Sequence, residues 1–190
     1  QTLTVTRQAT SFTHTITYKC GSASGTIATK SSSTSISWTP QLALAQQNTT
    51  GSSVSITLTI TTYSGDTSVG SNSYTVTCSI PASVKPTVSM NLSDDAGYLS
   101  TFGKYIQGMS KVKVSLTASG NQGSTIKSYK VVVDGRTYGS SSFTTNVISG
   151  SGLLTVEAAV TDSRGRTATT STAITVAEYA KPKFTSLSVK

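Results

Sequence analysis

Apolar and polar residues alternate along most of this chain with a period of two. Phe12-Thr-His14-Thr-Ile16-Thr-Tyr18-Lys-Cys20 places Phe12, His14, Ile16, Tyr18 and Cys20 on one face. A strand turns successive side chains to opposite faces, so this spacing predicts a β-strand with one buried side and one wet side. Leu3 and Val5 make a shorter opening strand, and Gly21 and Gly25 bracket a turn into Gly25-Thr26-Ile27-Ala28-Thr29. Ser35-Ile36-Ser37-Trp38 is a further strand. Thr39 as N-cap and Pro40 at the first helical position predict one or two helical turns through Leu42, Leu44 and Ala45. Val54, Ile56, Leu58 and Ile60 then alternate up to a turn at Ser64-Gly65-Asp66, and Tyr74, Val76, Cys78 and Ile80 return.

The same pattern resumes downstream. Val88, Met90 and Leu92 alternate into a turn-rich Asp94-Asp95-Ala96-Gly97-Tyr98 loop, and Val112, Val114 and Leu116 point inward from the next strand. Tyr129, Val131 and Val133 lead to Asp134-Gly135, a two-residue hairpin signal, with Arg136-Thr137-Tyr138 returning. Leu154, Val156, Ala158 and Val160 run into Thr161-Asp162-Ser163-Arg164-Gly165-Arg166, and Thr172, Ile174 and Val176 come back. Many short alternating strands separated by turns predict an all-β chain built from sandwiches.

A Lys-Pro step marks the organisation. Lys85-Pro86 and Lys181-Pro182 are 96 positions apart, each following a strand-like run. Proline fixes its own φ and holds the preceding residue extended, so each step reads as a stiff crossing between modules. The expected division is residues 1–83 and 84–177 as two sandwiches joined by a short X-Pro linker. Residues 178–190 then form a second linker and the start of a truncated third module, with Phe184 to Val189 as its first strand. The opening at Gln1 without an initiator Met predicts a piece of a longer chain.

Composition changes this picture little. Hydrophobic residues make up only 35% of the chain and roughly a third is Ser or Thr, which fits sheets with one solvated face. The formal charge is +8, but it is spread thinly, with no basic run and no aromatic residues interleaved with the bases. Lys111 and Lys113 alternate with Val112 and Val114, as on a solvated strand face that discourages edge pairing. A nucleic-acid partner is therefore not expected, whereas weak attraction to an anionic wall polymer is. No apolar run approaches a membrane span, and no membrane partner is expected.

Candidate chemistry is sparse. Cys20 and Cys78 share inward parity 58 residues apart, a separation compatible with an inter-sheet disulfide. The alternative is two reduced thiols packed as small hydrophobes, favoured because the second module has no cysteine. His14 is the single histidine, and Asp66, the lone acid of its module, has no spacing that ties it to His14 as a catalytic or metal partner. Asp94 and Asp95 are adjacent acids without the Asp-x-Asp-x-Asp spacing of a calcium loop, so they read as turn residues. Arg164 and Arg166 are candidates for an anion-binding tip, with solvated hairpin arginines as the plainer reading. Tyr98 and Tyr138, with Tyr63 and Tyr105, lie in or near turns and are candidates for stacking on sugars. No catalytic residue, metal site or cofactor is predicted, and the chain is expected not to be an enzyme.

Longer stretches carry a resemblance. Phe12 to Tyr18, Ser24 to Thr29, Ser37-Trp38-Thr39-Pro40 and Thr62-Tyr63-Ser64-Gly65 are similar to the first half of a family of Gram-positive siphophage minor structural proteins. Tyr105-Ile106-Gln107-Gly108-Met109-Ser110, Ile126-Lys127-Ser128-Tyr129, Thr161 to Arg166 and Tyr179-Ala180-Lys181-Pro182 resemble the second half, in the same order. The resemblance implies tandem immunoglobulin-like domains in a tail-associated protein of a phage or prophage, and it transfers no site residue. The expected role is a non-enzymatic virion tail spacer or adhesion arm, trimeric or monomeric, with other tail proteins as partners and host cell-wall polysaccharide as a further one. The alternatives are a carbohydrate-binding module for wall glycans and a repeat of an extracellular bacterial surface adhesin.

Overall fold

The computed structural model describes residues 1–186. It is all-β apart from two short helical segments, and it divides into two compact units. The first comprises Gln1–Val84 with Asn121–Thr125; the second comprises Lys85–Gly120 and the chain from Ile126 onward.

In the first unit the strands are β1 (Thr2–Thr4), β2 (Phe12–Cys20), β3 (Ala23–Ser31), β4 (Ser35–Ser37), β5 (Ser53–Ser64) and β6 (Thr67–Ser79). They form an antiparallel sheet in the order β3-β2-β5-β6 and a small two-stranded sheet β1-β4. The period-two pattern decides which side chains go inside. Cys20, Val54, Ile56 and Leu58 are buried from the large sheet, and Leu3 of β1 packs on them. Burying a side chain such as Ile56 completely is worth about 2–3 kcal/mol. Tyr18 and Trp38 close one side, their ring centroids 5.3 Å apart. The expected helical turn is a 3-10 helix over Leu42–Gln47, which puts Leu44 and Ala45 into the core. It starts at neither Thr39 nor Pro40: Gln41 is the N-cap and makes no side-chain capping bond.

The second unit contains β7 (Thr87–Asp94), helix α1 (Tyr98–Phe102), β8 (Tyr105–Ile106), β9 (Val112–Ser119), β10 (Ile126–Val133), β11 (Arg136–Tyr138), β12 (Ser142–Thr144), β13 (Gly152–Asp162) and β14 (Thr167–Ala177). One sheet runs β11-β10-β13-β14-β8 and the other β12-β9-β7. Val112 and Val114 from one sheet meet Val131, Val133, Val156 and Val176 from the other in a single apolar cluster. The Asp134-Gly135 hairpin forms as its dipeptide predicts: Val133 pairs with Arg136, and both turn residues have positive φ, +48° and +71°.

Two expectations change here. The Asp94–Tyr98 stretch is not all loop, because Tyr98 opens α1. Lys181 to Ser186 carries no strand, and the remainder of the expected third-module strand lies outside the described residues.

Candidate functional site

An exposed aromatic cleft lies in the second unit. Asp94 ends β7, and its Oδ2 accepts hydrogen bonds from the backbone N–H groups of Tyr98 (2.5 Å) and Leu99 (3.3 Å). A carboxylate so placed satisfies donors that the first turn of a helix otherwise leaves open. Glycines in the left-handed region bracket the turn, Gly97 at φ +80° and Gly103 at φ +67°. Leu99 packs on the core while Tyr98 and Phe102, four residues apart, fall on one face with ring centroids 6.3 Å apart. No residue of α1 is buried.

The opposite wall comes from after β14. Val176 and Ala177 pair in parallel with Tyr105 and Ile106, and Gln107 N–H continues the ladder to Ala177 O at 2.9 Å. The Gln107 side chain then fixes the exit of the chain, accepting from Tyr179 N–H at 3.4 Å and donating to Ser149 O at 2.8 Å. Tyr98, Phe102, Ile106, Met109 and Tyr179 thereby line a cleft of about 360 Å³. Phe102 is 61% exposed and Tyr179 43%, a large apolar area to leave in water. The lining holds aromatic faces and two phenol hydroxyls but no carboxylate or imidazole. Such a surface stacks against the C–H face of a sugar ring or another flat apolar group, and it offers no acid–base pair.

The sequence singles out Tyr98 alone of these residues. Met109 and Tyr179 lie in stretches that carry the family resemblance, but neither they nor Phe102 stood out as site candidates, because nothing local to them says that β14 and β8 pair in parallel and bring residues 102 and 179 together. Tyr138 does not belong to the cleft. Its ring stacks on Phe143 at 4.4 Å, its hydroxyl accepts Asn146 N–H at 3.3 Å, and it packs against the core. Tyr105 is likewise buried, and burial followed by the nearby Asp94 charge pushes its phenol pKa up. Tyr63 lies under the Lys30 ammonium, 5.2 Å from its ring centre.

Arg164 and Arg166 are half-buried on either side of exposed Gly165 in the β13–β14 turn. Their backbone N–H groups both bond to Oδ1 of the fully buried Asp162, at 3.0 and 2.9 Å. Asp66, 96 positions earlier, sits in an exposed turn and pairs with Lys30. That hydrogen bond, then the Lys30 charge, holds the Asp66 carboxyl below its usual range.

Cys20 and Cys78 are free thiols. The inter-sheet disulfide is corrected by the topology: β2 and β6 belong to one sheet, on either side of β5. Two strand spacings put their Cα atoms roughly 9.6 Å apart or more, beyond the 7 Å limit for a bridge. Burial, and secondarily Cys78, pushes the Cys20 thiol pKa up. His14 is buried with Nδ1 3.1 Å from Thr62 Oγ1, and burial, then the Arg7 charge, lowers its pKa. Asp94 is the cap described above, and Asp95 is exposed. Among the described residues no three His, Cys, Asp or Glu side chains gather as a metal site, and no helix is long and apolar enough to cross a membrane.

The described residues thus form two units built on β-sheets, the second of which carries an exposed aromatic cleft. The chain belongs to the family described as "Siphovirus protein of unknown function (DUF859)", whose model matches residues 1–190. The resemblance read from the sequence holds at that level, as a siphovirus family. No curated protein matches the chain. Among solved structures it is similar to the fibronectin(III)-like modules of Clostridium thermocellum CbhA, at 15% identity and a TM-score of 0.38. That similarity covers 93% of this chain and 85% of the other.

Proposed function

We propose that this chain is a non-enzymatic structural component of a phage tail, in which immunoglobulin-like sandwiches serve as spacers within a host-adhesion apparatus. The observation that carries the reading is membership of a siphovirus family along all 190 residues, in a chain whose two units are both all-β. Polar, Thr-rich sheets suit a part that stays soluble while holding others apart, and sequential modules with X-Pro crossings suit a spacer. The partners on this reading are other tail proteins. The test is gold labelling of intact virions with antibody against this chain. Label on the tail is the expected result; label on the capsid, or none on the particle, defeats the proposal.

The aromatic cleft supports a second reading, in which the second unit contacts host wall polysaccharide. Three exposed or half-exposed rings around Ile106 form a platform that stacking on sugars requires and that the core does not. Pull-down on purified cell walls distinguishes the two: a chain that never sediments with walls is a spacer alone.

A further inference from the structure

The two units treat the same sheet edge differently. In the second, the outer edge of β14 is covered by β8, with Val176 opposite Tyr105. In the first, the corresponding strand β6 ends the sheet, and its outer edge has no strand partner among the described residues. β6 is 13 residues long and contains neither a charged residue nor a proline. Open edges are usually guarded by brevity, charge, proline or bulges, because unpaired backbone groups recruit other strands.

The remaining edges carry such guards. β1, β4, β11 and β12 have three residues each and β8 has two. β3 carries Lys30 and register shifts, and β7 starts after Pro86 and ends at Asp94. A register shift also interrupts β6, between Gly70 and Ser68, but Gly70–Ser79 then pairs with β5 without a break.

We propose that β6 is a homodimer interface, pairing antiparallel with β6 of a second copy across a two-fold axis. A second copy meets no like charge here and the edge is self-complementary: the chain is +8 overall, yet β6 carries no charged residue to set against its own image across a two-fold axis. Backbone geometry selects which positions can pair. Ser73 N–H bonds to the Asn72 side chain at 2.9 Å, whereas Ile80 N–H turns the other way to Ser52 O at 2.8 Å. Odd-numbered residues of β6 therefore direct their backbone groups outward. With the two-fold axis centred on the exposed Tyr74, antiparallel pairing on the odd positions joins Ser73 to Thr75 of the second copy and sets Tyr74 opposite Tyr74 of the second copy, as a non-hydrogen-bonded pair. Tyr74 sits on the same face as buried Leu58, opposite it in register, but is 59% exposed. In the dimer the two Tyr74 rings cover one another, and Asn72 exchanges its bond to Ser73 N–H for the new ladder.

Sedimentation velocity on the full chain tests the proposal, together with Thr75→Pro. Thr75 N–H points away from β5, so proline there leaves the β5–β6 ladder intact and removes only a donor to the second copy. The expected result is a concentration-dependent dimer whose dissociation constant rises at least about tenfold in Thr75→Pro, with unchanged circular dichroism. A wild-type chain that stays monomeric up to its solubility limit overturns the proposal, as does a dimer indifferent to a folded Thr75→Pro chain. Should Thr75→Pro fail to fold, Tyr74→Cys in a Cys78→Ser background decides. Mild oxidation traps a covalent dimer through residue 74, since a non-hydrogen-bonded pair places Cα atoms about 4.5 Å apart. Trapping no better than with Ser24→Cys on the β3 edge overturns it.

Discussion

Asp134 holds Ser149 at both ends. Its Oδ2 accepts the backbone N–H of Ser149 at 2.7 Å and its hydroxyl at 2.8 Å, while Oδ1 accepts Gly150 N–H at 3.2 Å. A hairpin residue thereby pins the segment that leads into β13. Burial pushes the Asp134 carboxyl up, but the bonds from Ser149 and Gly150 and the charge of Arg136 outweigh it, and its pKa falls below 3.8. A depressed carboxyl contributes stability that is complete above its unfolded pKa and is lost as pH falls through the folded one. Asp134→Asn keeps one acceptor and tolerates the positive φ, yet loses the charge-assisted bonds. It should cost about 1–2 kcal/mol at neutral pH and flatten the loss of stability below pH ~4. Urea midpoints measured from pH 2 to 7 check both.

The Asp134-Gly135 turn was legible in sequence because both of its requirements are local, a residue that tolerates positive φ followed by glycine. The role of Asp134 toward Ser149 was not, since it joins positions 15 apart across β11 and β12 to a segment without regular structure. The same division runs through the molecule. Alternation placed Val112, Val114, Val131 and Val156 in the core because strand parity is a local property. The edge of β6 and the cleft at Tyr98 depend on which strands lie side by side, and parity does not carry that information. Cys20 and Cys78 show the consequence: parity gave both thiols an inward face, but only the strand order puts β5 between them.

Asp162 organises the β13–β14 turn from inside. One buried oxygen serves Arg164 N–H and Arg166 N–H, and Arg166 O in turn accepts Asp162 N–H at 2.9 Å. Asp162→Ala leaves two backbone donors without this acceptor and should destabilise the chain by about 2–3 kcal/mol. Asp162→Asn retains an oxygen in the same place and should lose less than half of that. Thermal denaturation of the two variants side by side gives the comparison. Equal losses would mean that the charge, and not the two bonds, is what the turn uses.

The thiols should differ in reactivity and should not combine. Cys20 is almost wholly buried with its pKa raised, while Cys78 is half-buried. Thiolate is the reacting form, so native alkylation should modify Cys78 first and Cys20 only on unfolding. Denatured, non-reduced protein should take up two equivalents of iodoacetamide by mass. Uptake of none would establish a bridge and require β2 and β6 to lie closer than their places in the sheet allow.

His14 gives the first unit its own acid sensitivity. Its pKa is lowered from 6.5 by burial and then by Arg7, so the unfolded chain takes up the proton first on acidification. Stability from this residue is present above pH ~6.5 and is lost as pH falls through the lower folded pKa. His14→Gln should remove that slope between pH 7 and 5 while leaving the Asp134 effect at lower pH unchanged. Two variants with separate pH windows identify each group.

The aromatic cleft separates binding from stability, because its rings are not core. Phe102 is mostly exposed, and truncating it removes little buried area, so Phe102→Ala should change the unfolding midpoint by less than about 1 kcal/mol. Tyr98→Ala should behave similarly, since Asp94 bonds to its backbone N–H and not to its ring. Tyr138→Ala is the control: it removes a ring stacked on Phe143 against the core and should cost about 3 kcal/mol or more. If the cleft contacts wall glycan, Tyr98→Ala and Phe102→Ala each weaken sedimentation with purified walls by roughly tenfold, the scale of one lost stacking contact. Folded variants that sediment as well as wild type would remove the cleft from adhesion, whichever part of the virion the chain occupies.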